Sequence, residues 1–217
     1  MDPSSTEGLA QPTAYVVEDD ESIRTLWRWL MESNGIAVRT FSSAPDFIAE
    51  YRPGSPGCLV LDLRLPGMSG LELQDHLKRN GIRIPIVFVT AHGDVRTAVT
   101  ALKEGAVDFI EKPFSYLQAV AIVRKAFERD SENRAHDARH ALVSGRIAAL
   151  TERERAVLRC VIAGKQNKLI ADELDISVKT VEFHRAKLME KMGVDSVAEL
   201  VQLTLGFSLM EAAGPAS

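Results

Sequence analysis

The first half of the chain alternates short apolar runs with amphipathic stretches, the pattern of repeated βα units around a parallel sheet. Five runs rich in Val, Ile, Leu and Phe predict strands covered on both faces: Thr13 to Val17, Ile36 to Phe41, Cys58 to Leu61, Ile84 to Thr90 and Ala106 to Ile110. The clearest intervening helix is Glu21 to Asn34, where Ile23, Leu26, Trp27 and Leu30 recur on one face and Gly35 supplies the stop. Trp27 reads as core. Further helices are expected from about Ala44, Ser69, Asp94 and Ser115. The fold class is therefore α/β: a (βα)5 doubly wound parallel-sheet domain over residues 13–127.

From Glu128 to Arg146 the apolar periodicity fades and Arg, Asp, Glu, His and Ala dominate, a composition that favours a solvated helical linker over a Gly/Ser coil. Everything after it reads helical. Thr151 with Glu154 three residues on forms a capping-box pattern, followed by an apolar stripe of Ala156, Val157, Cys160 and Val161 and a stop at Gly164. Asn167 to Leu174 is a short second helix, Asp175 and Ile176 a tight turn, Ser177 to Met192 a third helix and Ser196 to Leu205 a fourth. Residues 147–207 thus form an all-α four-helix unit, and the tail from Met210 to Ser217 is expected to fray.

A length of 217 residues accommodates two such units, and 46% hydrophobic with 26% charged residues fits a soluble chain without a membrane span. The start, Met1 to Gln11, has no secretory pattern, so the expected location is the cytoplasm. There, Cys58 and Cys160 are expected to be small buried hydrophobes rather than a disulfide. Charge is a weak guide: a net of −4 does not announce a nucleic-acid binder. If the C-terminal unit does bind a phosphate backbone, its cations must gather on one face and dimerisation must supplement a weak monomer.

Candidate chemistry lies where open α/β sheets place it, just beyond the carboxyl ends of the strands. The first strand runs into Glu18, Asp19 and Asp20; the third into Asp62; the fourth ends in Thr90; the fifth is followed by Lys112-Pro113. Packed carboxylates repel and want a cation, and an all-oxygen set with room for water suits Mg²⁺. With a metal present, the Asp62 carboxylate is a nucleophile able to attack phosphorus, while Lys112 and Thr90 can meet phosphoryl oxygens. Each part alone has a bland reading as solvated loop, strand end or stray Lys-Pro. Their occurrence in order at strands one, three, four and five favours the joint one.

These residues carry a resemblance. The stretches VVEDDESIR, LVLDLRLPGMSGLEL, VFVTAHGD and GAVDFIEKPF are similar to a response-regulator receiver domain. The resemblance implies Asp62 as phosphoacceptor, Glu18 and Asp19 as the paired metal acids, and the Arg64 backbone carbonyl as a further Mg²⁺ ligand. It also implies Thr90 and Phe109 as a coupled switch and a cis peptide at Lys112-Pro113. Glu18 departs from the Asp many relatives carry there, and Asp20 is expected to cap the following helix. Pro66-Gly67 has the form of a type II turn.

The run LTERERAVLRCVIAGKQNKLIADELDISVKTVEFHRAKLMEKMGV resembles the helix-turn-helix DNA-binding domain of the FixJ/NarL/LuxR class, with AHGDV, GAVDFIEKPF and NKLIADELDIS closest to the FixJ/StyR-like group. Ile170, Ala171, Leu174, Ile176 and Val181 are spaced to pack two helices across the turn. The opposite face offers Lys179, Thr180, Glu182, Phe183, Ala186 and Lys187 to the major groove, with Lys165, Asn167 and Lys168 beside the backbone. His184 lacks partners at metal spacing and reads as a structural or phosphate-contacting residue. Val197, Leu200, Val201 and Leu203 are expected to be part core and part dimer contact.

The function so implied is a two-component regulator that accepts phosphoryl from a sensor histidine kinase on Asp62, dimerises through its receiver, and binds promoter double-stranded DNA, with RNA polymerase as a further partner and activation as the expected direction. Expected receiver contacts are Arg96, Val99, Lys103, Asp108 and Glu111. No external-substrate turnover is expected. A phosphate-ester hydrolase working through an aspartyl phosphate would usually carry an acid two residues after its nucleophile, where this chain has Arg64. A phosphotransfer scaffold would leave the helix-turn-helix unexplained, and a flavin-binding fold would need a phosphate-cradling turn after the first strand.

Overall fold

The computed structural model describes residues 11–91, 102–205 and 207. The helix expected from Asp94, the contacts Arg96 and Val99, and the tail from Met210 lie outside these residues. The chain divides into two compact units, Met1–Arg134 and Ala135–Ser217.

In the first unit the strands are β1 (Thr13–Val17), β2 (Ala37–Phe41), β3 (Gly57–Asp62), β4 (Ile86–Ala91) and β5 (Asp108–Lys112), and the helices are α1 (Glu21–Ser33), α2 (Ala44–Glu50) and α3 (Gly70–Arg79). A long helix, α4, runs Tyr116–Ala148. The strands form one parallel sheet in the order β2-β1-β3-β4-β5. Strand order reverses at β1, so the connections leaving β1 and β3 diverge and open a crevice at their carboxyl ends. Alternation along each strand feeds two cores: Tyr15, Val17, Leu59, Leu61 and Phe88 join one face, Ala14, Val16, Cys58, Val60 and Val87 the other. Trp27 is fully buried in the second.

Four strands differ from the expected bounds. β2 starts one residue later, at Ala37, and β3 gains one residue at each end, so that Asp62 closes the strand instead of following it. β4 and β5 shift further. β4 begins at Ile86 rather than Ile84, because Pro85 offers only a carbonyl, which accepts from the Leu59 amide at 2.8 Å. β5 is displaced toward the C-terminus, Asp108–Lys112 instead of Ala106 to Ile110. Its last residues Glu111 and Lys112 are charged and escape an apolar search, yet pair in register with Thr90 and Ala91.

The region 128–146 is helical throughout, inside α4. Its early part is fastened to the first unit: the buried Asp130 carboxylate accepts from the Gly57 amide at 2.9 Å and from Arg134 Nε at 2.6 Å, while Arg134 Nη1 donates to the Gly54 carbonyl at 2.7 Å.

In the second unit α5 (Glu152–Ile162), α6 (Asn167–Leu174), α7 (Val178–Met192) and α8 (Val197–Thr204) enclose a core of Val157, Leu158, Val161, Ile170, Val181, Leu188, Met192 and Leu200, joined by Val143 and Ile147 from the end of α4. Thr151 and Glu154 form the expected capping box, and Lys191 Nζ reaches the Glu154 carboxylate at 2.7 Å. Asp175 turns the chain from α6 to α7 at φ 51°, a left-handed conformation that Asp tolerates.

Candidate functional site

Every acidic candidate stands at the crevice. β1 ends at Val17, so Glu18 and Asp19 fall in the connection to α1, and Asp20 caps that helix by accepting from the Ser22 and Ile23 amides at 2.7 and 3.2 Å. Those bonds hold the Asp20 carboxyl below its usual range and commit it to the helix. The last residue of β3 is Asp62, packed beside Val89 of β4. Glu18 and Asp62 are buried and Asp19 is exposed, and each offers an oxygen within 4.8 Å of the others.

Lys112, at the end of β5, bridges the two buried acids: its ammonium lies 2.5 Å from Asp62 Oδ2 and 2.7 Å from Glu18 Oε2. The peptide bond from Lys112 to Pro113 is cis. Burial acts most strongly on this lysine and pulls its pKa down, but the bonds to Asp62 and Glu18 prevail and hold it above the ordinary value. Burial likewise dominates at Glu18 and pushes its carboxyl up, helped by the Asp62 charge and opposed by the Lys112 hydrogen bond. The extra methylene of Glu18 is no obstacle to the shared contact. The second Asp62 oxygen, Oδ1, accepts from the Arg64 amide at 2.7 Å.

Around this centre, Thr90 is fully buried near the end of β4 and Phe109 is half-buried on β5, packed against the first core. The loop after Asp62 is shaped by two glycines. Gly67 adopts φ +80°, as the third position of a type II turn requires. At Gly70 a Cβ would stand 2.4 Å from the Asp62 carbonyl oxygen, so only glycine lets α3 start against that strand end. Ser69 caps α3 with a complete capping box to Glu72.

The donor set suits a small hard cation, since it is all oxygen, and the exposed Asp19 leaves a side open to water. The site is thus an aspartate flanked by two further acids and a lysine at the switch point of a parallel sheet.

On the second unit, Lys179, Glu182, Phe183, Ala186 and Lys187 are exposed along α7, with Thr180 and His184 half-buried at its flank. Thr180 Oγ1 lies 2.8 Å from Ser177 Oγ at the helix start, and Lys187 pairs with Glu190 at 2.8 Å. Lys168 is exposed on α6, Asn167 half-buried, and Lys165 pairs with Glu173. The sequence reading missed Arg185, whose Nη1 donates to Asn167 Oδ1 at 3.0 Å and ties α7 to the start of α6. Its position between two exposed groove candidates, Glu182 and Ala186, was the available signal. It also missed Arg24, whose Nη1 donates to the carbonyls of Glu18 and Asp19 at 2.8 and 2.6 Å. On the last helix Leu200 is buried, while Val197 is exposed. Of the expected receiver contacts, Lys103 is exposed, Asp108 is half-buried and paired with Lys125 at 3.1 Å, and Glu111 is half-buried. No helix among the described residues is long and apolar enough to cross a membrane.

Comparison with known proteins agrees with both halves. Residues 14–124 match the response regulator receiver domain, and residues 148–204 match the bacterial regulatory proteins of the luxR family. The transcriptional regulatory protein FixJ of Azorhizobium caulinodans is 43% identical over 191 residues, covering 88% of this chain and 90% of the relative. Nodulation protein W of Bradyrhizobium diazoefficiens is 41% identical over 205 residues, covering 94% and 90%. The solved structure of the response regulator StyR superposes with a TM-score of 0.82 at 42% identity, covering 91% of this chain and 100% of that one. The chain belongs to the two-component response regulators, transcriptional regulators that join a receiver domain to a LuxR-type DNA-binding domain.

Proposed function

We propose that Asp62 accepts a phosphoryl group from a sensor histidine kinase, and that the modified receiver dimerises and delivers two helix-turn-helix units to promoter DNA, as an activator of transcription. The observation that carries this is the Lys112 ammonium, 2.5 Å from Asp62 Oδ2 and 2.7 Å from Glu18 Oε2, at a crevice with Thr90 beside it. A carboxylate oxygen of Asp62 forms the new O–P bond as the P–N bond to the donor imidazole breaks; the electron pair of that bond returns to the ring nitrogen, and the ring, protonated on its other nitrogen, leaves as neutral imidazole. Lys112, relieved of part of its pairing with Asp62, meets a phosphoryl oxygen as a point charge, and the Thr90 hydroxyl donates to another.

Glu18, Asp19, Asp62 and the Arg64 carbonyl would hold Mg²⁺, which when bound supplies neutralisation of the charge developing on the phosphoryl oxygens. The inward move of Thr90 leaves room for the half-buried Phe109 ring to turn in, and the surface carrying Lys103, Asp108 and Glu111 rearranges into a pairing face. Pairing raises the local concentration of the second DNA-binding unit, which a chain of net charge −4 needs.

The functional divisions are a receiver at 13–127, a helical linker at 128–146 and a DNA-binding domain at 147–207, acting in the cytoplasm with RNA polymerase as the final partner. On DNA, Lys179, Thr180, Glu182, Phe183, His184, Ala186 and Lys187 face the groove or its rims, and Lys165, Asn167 and Lys168 the backbone. The chain turns over no external substrate.

The test is intact-mass measurement after incubation with a small phosphoryl donor and Mg²⁺. One base-labile phosphoryl group is expected on the parent and none on Asp62→Asn. Equal labelling of both would overturn the assignment.

A further inference from the structure

The connection from β1 to α1 carries two of the three acids that would hold the cation, and the three are not held alike. Glu18 and Asp62 are buried, so packing restricts their rotamers, whereas Asp19 is exposed and packing cannot. Its position must be set through the backbone. On one side, the Glu18 amide donates to the Phe41 carbonyl of β2 at 3.1 Å. On the other, Asp20 caps α1 through two amides, and its own carbonyl accepts from the Arg24 amide at 2.9 Å. Between these anchors the carbonyls of Glu18 and Asp19 both turn to one atom, Nη1 of Arg24, at 2.8 and 2.6 Å.

One guanidinium nitrogen therefore fixes the two peptide groups that flank the Asp19 Cα, and with them the direction of its Cα–Cβ bond. For Glu18 it fixes the peptide on one side, and the bond from the Glu18 amide to Phe41 fixes the other. Because this nitrogen donates to carbonyl oxygens, it fixes the loop without occupying the carboxylate oxygens a cation needs. Two carbonyls converging on one point also repel each other, and a permanent positive charge there removes that cost.

We propose that Arg24 is a positioning residue for the divalent cation, holding Glu18 and Asp19 in ligating orientation through their carbonyls. The inference rests on the reading of Glu18, Asp19 and Asp62 as the cation's ligands. Partners that orient ligands without touching the metal typically set about 10–100-fold of its affinity.

The experiment is a calorimetric Mg²⁺ titration of the full chain in the parent, Arg24→Met, Arg24→Lys, Asp19→Asn and Asn34→Ala, with thermal midpoints measured alongside. Asn34 donates to the Leu30 carbonyl at 2.8 Å at the far end of α1, so its loss weakens the same helix away from the site. Arg24→Met is expected to weaken Mg²⁺ binding about tenfold or more. Arg24→Lys, which keeps the charge but not the planar donor, is expected to fall between the two. Asn34→Ala should leave the affinity unchanged even where its midpoint drops.

Lower midpoints in the Arg24 variants with parental Mg²⁺ affinity would overturn the proposal and make Arg24 a fastener of α1. If Arg24→Met does not fold, parental affinity in Arg24→Lys overturns it equally. Parental Mg²⁺ binding that survives Asp19→Asn undamaged would instead overturn the ligand assignment itself, and this proposal with it.

Discussion

The behaviour of Lys112 follows from where its charge sits. Two buried carboxylates, Glu18 and Asp62, share one ammonium, so removing it leaves like charges facing each other out of water. Lys112→Met is expected to cost about 3 kcal/mol of receiver stability in metal-free buffer, read by urea unfolding, and to slow labelling of Asp62. A variant as stable as the parent would show that the pair contributes little.

At Glu154 burial is the largest influence and acts upward, but the bonds from Lys191 and Thr151 prevail and hold its carboxyl below the ordinary Glu value of 4.5. A depressed folded-state pKa means that this contribution is fully present above pH 4.5 and disappears as pH falls through the lowered value. Glu154→Gln should therefore lose about 1 kcal/mol at neutral pH, with the thermal midpoints of the two proteins converging in acid. A gap that persists below that range would contradict the pairing.

Among elements, α4 shows the limits of periodicity. The sequence predicts a helix from Ser115 and a solvated helical linker from Glu128, because the apolar stripe fades there, yet the structure contains one helix, Tyr116–Ala148. What fastens its middle is polar and remote in sequence: Asp130 finds the Gly57 amide and Arg134 the Gly54 carbonyl, partners that no local pattern announces. Asp130→Ala leaves the Gly57 amide unpaired at a buried site and is expected to cost about 2 kcal/mol. Amide exchange at Gly57 should accelerate, and parental protection there would contradict the contact. β5 was misplaced for a related reason, its charged end being invisible to an apolar count. The acids after β1, Asp62 at the end of β3, Thr90 and Lys112 were legible because strand ends are the places to look. Arg24 was not, since its partners are backbone carbonyls that no side-chain pattern marks, and the position of Arg185 among the groove candidates gave no sign of its bond to Asn167 on another helix.

On α7, the exposure of Lys179 and Glu182 separates two expected effects. Lys179→Ala should weaken binding to all DNA alike and lower the salt slope by about 0.9, whereas Glu182→Ala should relax preference at one base position with the slope kept. Binding isotherms at several salt concentrations distinguish them, and a sequence-dependent loss at Lys179 would reverse the assignment.

At the scale of the whole molecule, the account links an acceptor site on one compact unit to a DNA-binding face on the other. A net charge of −4 gives a single copy little general attraction to DNA, so the route proposed above is control by assembly: phosphorylation would shift a population toward a pairing-competent receiver, and paired copies would engage two half-sites. The halves depend on each other in this scheme, because the acceptor chemistry alone would make a phosphate carrier and the helix-turn-helix alone a weak binder.

The most direct test is the molar mass of the full chain by light scattering with Mg²⁺, before and after adding beryllofluoride, with Asp62→Asn as the control. The account predicts a monomer-to-dimer shift in the parent alone. No shift, or the same shift in Asp62→Asn, would contradict control by receiver pairing.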